Sequence, residues 1–243
     1  MIPPVKAVLF DVLHTLVDDS GFPRYQLRNL LIAEEIDLDD GQFEEVYQAL
    51  SRKEYDWDAA AVETPFRSIR DRHRSRLTAL YEHFGLNEHR DLESDIELLW
   101  KRIATSGLYG EVSEVLPTLA ARGYRLALIS NADENDPVIQ VILGAELPVT
   151  FEVVVTSEGA GAYKPAARIF EHALWRLDLD PQETVFVGDS PSSDIAGGSR
   201  AGLRTVWVNR KGGEYPAGYP APDATVTDLT GLFDLLPGVG DTD

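Results

Sequence analysis

From Gly110 onward, short apolar runs alternate with amphipathic helical stretches, and this alternation restricts the fold more than any other feature of the chain. The order reads helix Val112–Arg122, strand Arg125–Ile129, a helix near Pro137–Leu143 and strand Phe151–Thr156. It continues with helix Ala166–Leu177, strand Thr184–Val187, helix Ser192–Ala201, strand Thr205–Val208 and a weak strand at Ala224–Val226. Strands separated by helices do not form hairpins. Crossover connections set them side by side in a parallel sheet with helices on both faces. An earlier run, Val5–Phe10, reads as a buried strand of the same kind.

Between Asp18 and about Ser106 the texture changes to helical patterns without a convincing strand. These are Tyr25–Ile36, Phe43–Trp57, Pro65–Phe84 and Asp91–Ile103. Apolar residues recur there at three- and four-residue spacing, as in Leu27, Leu30, Leu31 and again in Leu77, Leu80, Tyr81, Phe84. The expected architecture is therefore α/β: a doubly wound, Rossmann-like parallel-sheet core built from residues 1–17 and 108–243. After its first strand the core is interrupted by an all-helical insert, residues 18–107, with Asp18 and Asp19 at the hinge. The tail Gly238–Asp243 is expected to fray.

A chain of 243 residues is long enough to bury such a core. Its net charge of −19 argues against nucleic acid or an acidic membrane as partner, because a phosphate backbone demands a basic surface. The same charge repels an anionic substrate unless a metal or a local basic group compensates. The lack of cysteine excludes disulfides, thiolate metal sites and cysteine nucleophiles. No apolar run approaches the ~20 residues of a membrane span. The first residues lead directly into a strand, so neither a signal peptide nor a membrane span is expected, and the address is read as cytoplasmic.

In doubly wound sheets ligands bind at the carboxyl ends of the strands. Four polar groups fall there. Asp11 ends the first strand in the run Phe10-Asp11-Val12-Leu13-His14-Thr15-Leu16. Ser130-Asn131 end the next, Lys164-Pro165 follow the third after a loop, and Gly188-Asp189-Ser190 end the fourth, with Asp194 beyond. Each alone reads as a turn or a helix cap; their weight comes from the ordered set. The set resembles the motifs of the haloacid dehalogenase-like (HAD) superfamily, whose first motif is Asp-x-Asp-x-Thr-Leu. The likeness covers roughly Val5–Leu16 and Val112–Leu236, and the helical insert stands where that family carries its cap.

The resemblance implies a Mg2+-dependent phosphatase acting on a small phosphorylated compound. Asp11 would attack phosphorus to give an aspartyl-phosphate. Asp11, Asp189 and the carbonyl of Leu13 would hold the metal, a hard cation suited to oxygen ligands. Lys164 would neutralise the phosphoryl oxygens and Ser130 would donate a hydrogen bond to them. Asn131 and Thr15 are expected to help bind substrate, and Asp194 to orient the assembly.

The departure is Leu13, which stands where the family has its second aspartate. That aspartate protonates the leaving oxygen and then deprotonates the attacking water, a contribution of typically ~10²–10⁴-fold. Leucine can do neither. His14 follows it, and in a normal turn should point elsewhere. Two other readings stay open: a phospho-ligand-binding protein without turnover, and a C–X hydrolase. The second includes 2-haloacid dehalogenases, which lack the second aspartate but carry an uncharged residue where Asp189 stands. It also includes phosphonoacetaldehyde hydrolases, for which Lys53 would be the Schiff-base lysine, although its polar neighbours suit a surface position.

Arg67, Arg70 and Arg74 should share one face of an insert helix. That face either receives an anion or is solvated and laced with acid–base pairs, the second being the simpler reading. His73, His83, His89 and His172 are expected on helical surfaces, and Trp57 and Trp100 as packing residues.

Overall fold

The computed structural model describes residues 5–18, 40–54, 56, 65–86 and 90–239. The expected helix Tyr25–Ile36, together with Asp19, Trp57 and His89, lies outside the described residues. No helix among the described residues is long and apolar enough to cross a membrane.

Six strands form one parallel sheet in the order β5-β4-β1-β6-β7-β8. They are β1 (Ala7–Phe10), β4 (Arg125–Ser130), β5 (Val153–Thr156), β6 (Thr184–Gly188), β7 (Arg204–Val208) and β8 (Ala224–Val226). β1 is central: Phe10 is in register with Leu128 of β4 on one side and Val187 of β6 on the other. Period-two alternation feeds two cores. Val8 and Phe10 join the apolar layer containing Val112, Val115 and Leu119, whereas Ala7 and Leu9 join the opposite layer containing Ile169, Phe170 and Ala173. The crossover helices agree with the sequence pattern within about two residues. One differs: the single helix expected at Ser192–Ala201 is a π-turn, Pro191–Ile195, followed by a short α-helix, Ala196–Arg200.

The insert contributes α1 (Asp40–Glu54), α2 (Ile69–Phe84) and α3 (Leu92–Ile103) to the described residues. They bury an apolar cluster of their own, including Phe43, Tyr47, Leu77, Leu80, Ile96 and Leu99. A feature without a sequence signal joins this segment to the sheet. β2 (Val17–Asp18) pairs antiparallel with β3 (Gly107–Leu108), so the outgoing and returning chains run side by side. Two residues per strand are too few to show a periodicity.

Candidate active site

Asp11 leaves β1 with its amide on the carbonyl of Val187, and its side chain is buried. One carboxylate oxygen accepts from Lys164 Nζ at 2.5 Å, the other from Thr15 Oγ1 at 3.0 Å. Lys164 Nζ also donates to Asp194 Oδ1 at 2.7 Å and to the carbonyl of Ile129 at 3.2 Å. The ammonium is 2% exposed, and burial alone would lower its pKa. Asp11 and Asp194 more than offset that, and hold it above the ordinary lysine value.

Asp194 owes its position to the π-turn. The carbonyl of Ser190 accepts from the amides of both Asp194 and Ile195, which widens the first turn. The Asp194 carboxylate then folds back onto the Ser190 amide at 3.0 Å while keeping Lys164. This close return requires a glycine at 188, because a Cβ there would lie 2.4 Å from Asp194 Oδ2. Asp194 thus orients Lys164 directly.

Asp189 completes the group: carboxylate oxygens of Asp11, Asp189 and Asp194 all lie within 4.8 Å of one another. Burial, then Asp194, then Asp11 raise the Asp189 pKa to about 7, against the opposing pull of His14 and Lys164. Two of the three carboxylates hold the Lys164 ammonium and the third lies beside them, and such an oxygen-only donor set fits a hard divalent cation.

Other expected residues are present but differently engaged. The side-chain amide of Asn131 donates to the Lys164 carbonyl at 3.1 Å and accepts from the Lys164 amide at 2.7 Å. Thr15 is fully buried with its hydroxyl on Asp11. Both side chains therefore hold Asp11 and the Lys164 backbone in place. Ser130, also buried, ends β4 one residue beyond the Ile129 carbonyl that Lys164 contacts. Leu13 is partly buried and packs against the apolar core, whereas His14 is exposed with φ 63°.

Sequence reasoning missed two residues at the end of β7. Trp207 Nε1 donates to the Asp189 carbonyl at 2.8 Å, and Arg210 reaches the carbonyls of His14 and Thr15. Neither belongs to a motif; their place at a strand's carboxyl end was the available signal.

The haloacid dehalogenase-like hydrolase family model matches residues 5–202. The chain belongs to this family. Among its relatives, the N-acylneuraminate-9-phosphatase of Rattus norvegicus is 30% identical over 97% of this chain and 95% of that protein. The (S)-2-haloacid dehalogenase 4A of Burkholderia cepacia is 27% identical over 97% of this chain and 96% of that protein. In fold, the hydrolase resembles the magnesium-bound HAD hydrolase YfnB of Bacillus subtilis, with TM-score 0.77, 22% identity and 96% and 99% of the two chains covered. This HAD-like hydrolase thus has both phosphatases and dehalogenases among its relatives.

The insert corrects two expectations. His73 is buried, not on a helical surface, and burial followed by the charge of Arg76 lowers its pKa to about 3. Arg67 precedes the N-cap Ser68, so it does not share a helical face with Arg70 and Arg74. Arg70 and Arg74 pair at the surface with Glu97 and Glu93, as a solvated face requires. Lys53 is exposed in the last turn of α1, not in the desolvated pocket that a Schiff-base lysine uses.

Proposed function

We propose that this hydrolase is a Mg2+-dependent phosphatase acting on a small phosphorylated metabolite, with residues 1–17 and 108–243 as catalytic core and 18–107 as cap. The reading rests on Asp189, a third carboxylate beside Asp11 and Asp194, which Lys164 bridges. Asp11, Asp189 and the carbonyl of Leu13 would hold Mg2+, which supplies charge neutralisation for the phosphoryl oxygens. Asp11 attacks phosphorus, the leaving oxygen departs with its electron pair, and the aspartyl-phosphate is then hydrolysed by water. Lys164 stabilises the charge on the transferring group, Ser130 donates to it, and Asp194 keeps Lys164 aimed. Thr15 and Asn131 fix Asp11 and the Lys164 backbone.

Leu13 supplies no proton, so leaving groups that depart as stable anions, such as acyl or aryl phosphates, react best. The test compares phosphate release from p-nitrophenyl phosphate by the natural protein and Leu13→Asp. A gain of ~10²-fold or more in the variant supports a site lacking only its proton shuttle. Failure of fluoroberyllate to form an adduct at Asp11 sinks the phosphatase reading.

Leu13 itself favours a second reading, a 2-haloacid dehalogenase, because halide leaves carbon without an acid. Against it, Asp189 would repel the carboxylate of a haloacid. Chloride release from 2-chloropropionate without Mg2+ would decide for it.

A further inference from the structure

The turn after β1 carries Asp11 and Thr15, yet its own backbone satisfies only part of it. The carbonyl of Val12 accepts from the amides of Leu16 and Val17, and the amide of His14 donates to the carbonyl of Val17. The carbonyls of His14 and Thr15 are instead taken by Arg210, from beyond the end of β7. Arg210 Nε donates to His14 O at 3.3 Å and Nη2 to Thr15 O at 2.9 Å. Its third nitrogen, Nη1, pairs with Glu111 at 2.7 Å, and the guanidinium lies 3.5 Å from the ring centroid of Tyr109.

These partners sit on both limbs of the connection to the insert. His14 and Thr15 lead out through β2. Tyr109 and Glu111 follow β3 on the way back, and the Tyr109 amide donates to the Leu16 carbonyl at 3.0 Å. Only two hydrogen bonds separate Arg210 from the nucleophile: Nη2 to the Thr15 carbonyl, then the Thr15 hydroxyl to Asp11 Oδ2 at 3.0 Å. A planar fork with donors on three nitrogens can serve two carbonyls and a carboxylate at once, whereas a lysine offers one point charge.

We propose that Arg210 is a positioning residue: it fixes the His14–Thr15 backbone against Glu111 and Tyr109, and through Thr15 it sets the orientation of Asp11. The proposal rests on Asp11 being the nucleophile of a phosphatase. It concerns alignment within the turn, so kcat should respond while KM, set elsewhere, should not.

The experiment compares the natural protein with Arg210→Ala and Arg210→Lys, at a temperature where circular dichroism shows all three fully folded. It measures kcat and KM for p-nitrophenyl phosphate, and occupancy of Asp11 by fluoroberyllate with Mg2+ from 19F resonances. Arg210→Ala should lower kcat by about ten- to a hundredfold, the range expected for losing charge-assisted hydrogen bonds, with KM nearly unchanged and weaker fluoroberyllate binding. Arg210→Lys should recover only part of this. If the alanine variant does not fold, the lysine variant carries the same comparison. Natural kcat and adduct formation in a folded variant overturn the proposal, as does full rescue by lysine. A natural protein that forms no adduct and releases no phosphate overturns the phosphatase reading instead.

Discussion

The sheet and the insert both bury basic side chains, but in different surroundings: a cluster of carboxylates at the sheet, and tyrosine rings together with the Arg90–Asp95 pair in the insert. At the sheet, Lys164 is surrounded by carboxylates, with Asp11 at 2.5 Å and Asp194 at 2.7 Å. In α2 of the insert, buried Arg72 lies over the ring of Tyr163, and buried Arg76 lies over Tyr47 and donates to its hydroxyl at 3.1 Å. His73 between them is held neutral by burial. An aromatic face stabilises a cation lying over it and lets the apolar stem of that side chain pack. The sheet instead concentrates formal charge where its desolvation makes each interaction stronger.

The sharpest way to break this contrast is to remove the cation at the sheet. Lys164→Met leaves Asp11 and Asp194 facing each other while buried, and should cost about 3–5 kcal/mol in urea unfolding at pH 7 as well as turnover. Unfolding midpoints equal to the natural protein would show that the carboxylates are satisfied in some other way.

A gentler probe uses pH, because the two regions should answer with opposite signs. His73 binds its proton less tightly folded (about 3) than unfolded (6.5). Its contribution to stability is therefore complete above pH 6.5 and is lost as the pH falls toward 3. Asp189 binds its proton more tightly folded (about 7) than at the ordinary value of 3.8. Its contribution is complete below pH 3.8 and is lost as the pH rises through 7, at up to about 1.4 kcal/mol per pH unit. From pH 7 to 5 in chelator, amide protection relative to the intrinsic exchange rate should fall in α2 and rise in β1 and β6. Asp189→Asn should abolish only the response of the strands.

The smallest effect is expected from Tyr47→Phe. It removes the hydroxyl acceptor of Arg76 but keeps the ring, so about 1 kcal/mol should be lost with kcat unchanged. A change in kcat would mean that the charges of α2 reach the chemistry after all.

Much of the core was written locally. β1, β4 and β6 are continuous apolar runs that stop at Asp11, Ser130 and Gly188-Asp189, so both the strands and the polar residues at their ends are visible without knowing what packs against them. The helices of the insert are equally periodic, and α2 carries its own N-cap at Ser68 and a left-handed Gly85 at its end. The spacing of Leu77, Leu80 and Tyr81 showed one buried face of α2, but not that burial would extend to its basic residues. Arg72, His73 and Arg76 look like surface residues, yet all three are buried, with Arg72 against Tyr163 and Arg76 against Tyr47.

The sequence by itself therefore determined the alternating parallel sheet and the chemical types at the strand ends. These depend on periodicity and on residues a few positions apart. Tertiary structure alone decided that Lys164 meets Asp11 across 153 positions and Asp194 across 30. It also decided that Arg210 braces a turn 195 positions away and that a two-residue strand pair closes the base of the insert. Such pairings follow from where the sheet order sets each strand end and from which face is left for a neighbour to cover, and neither is encoded within any one segment.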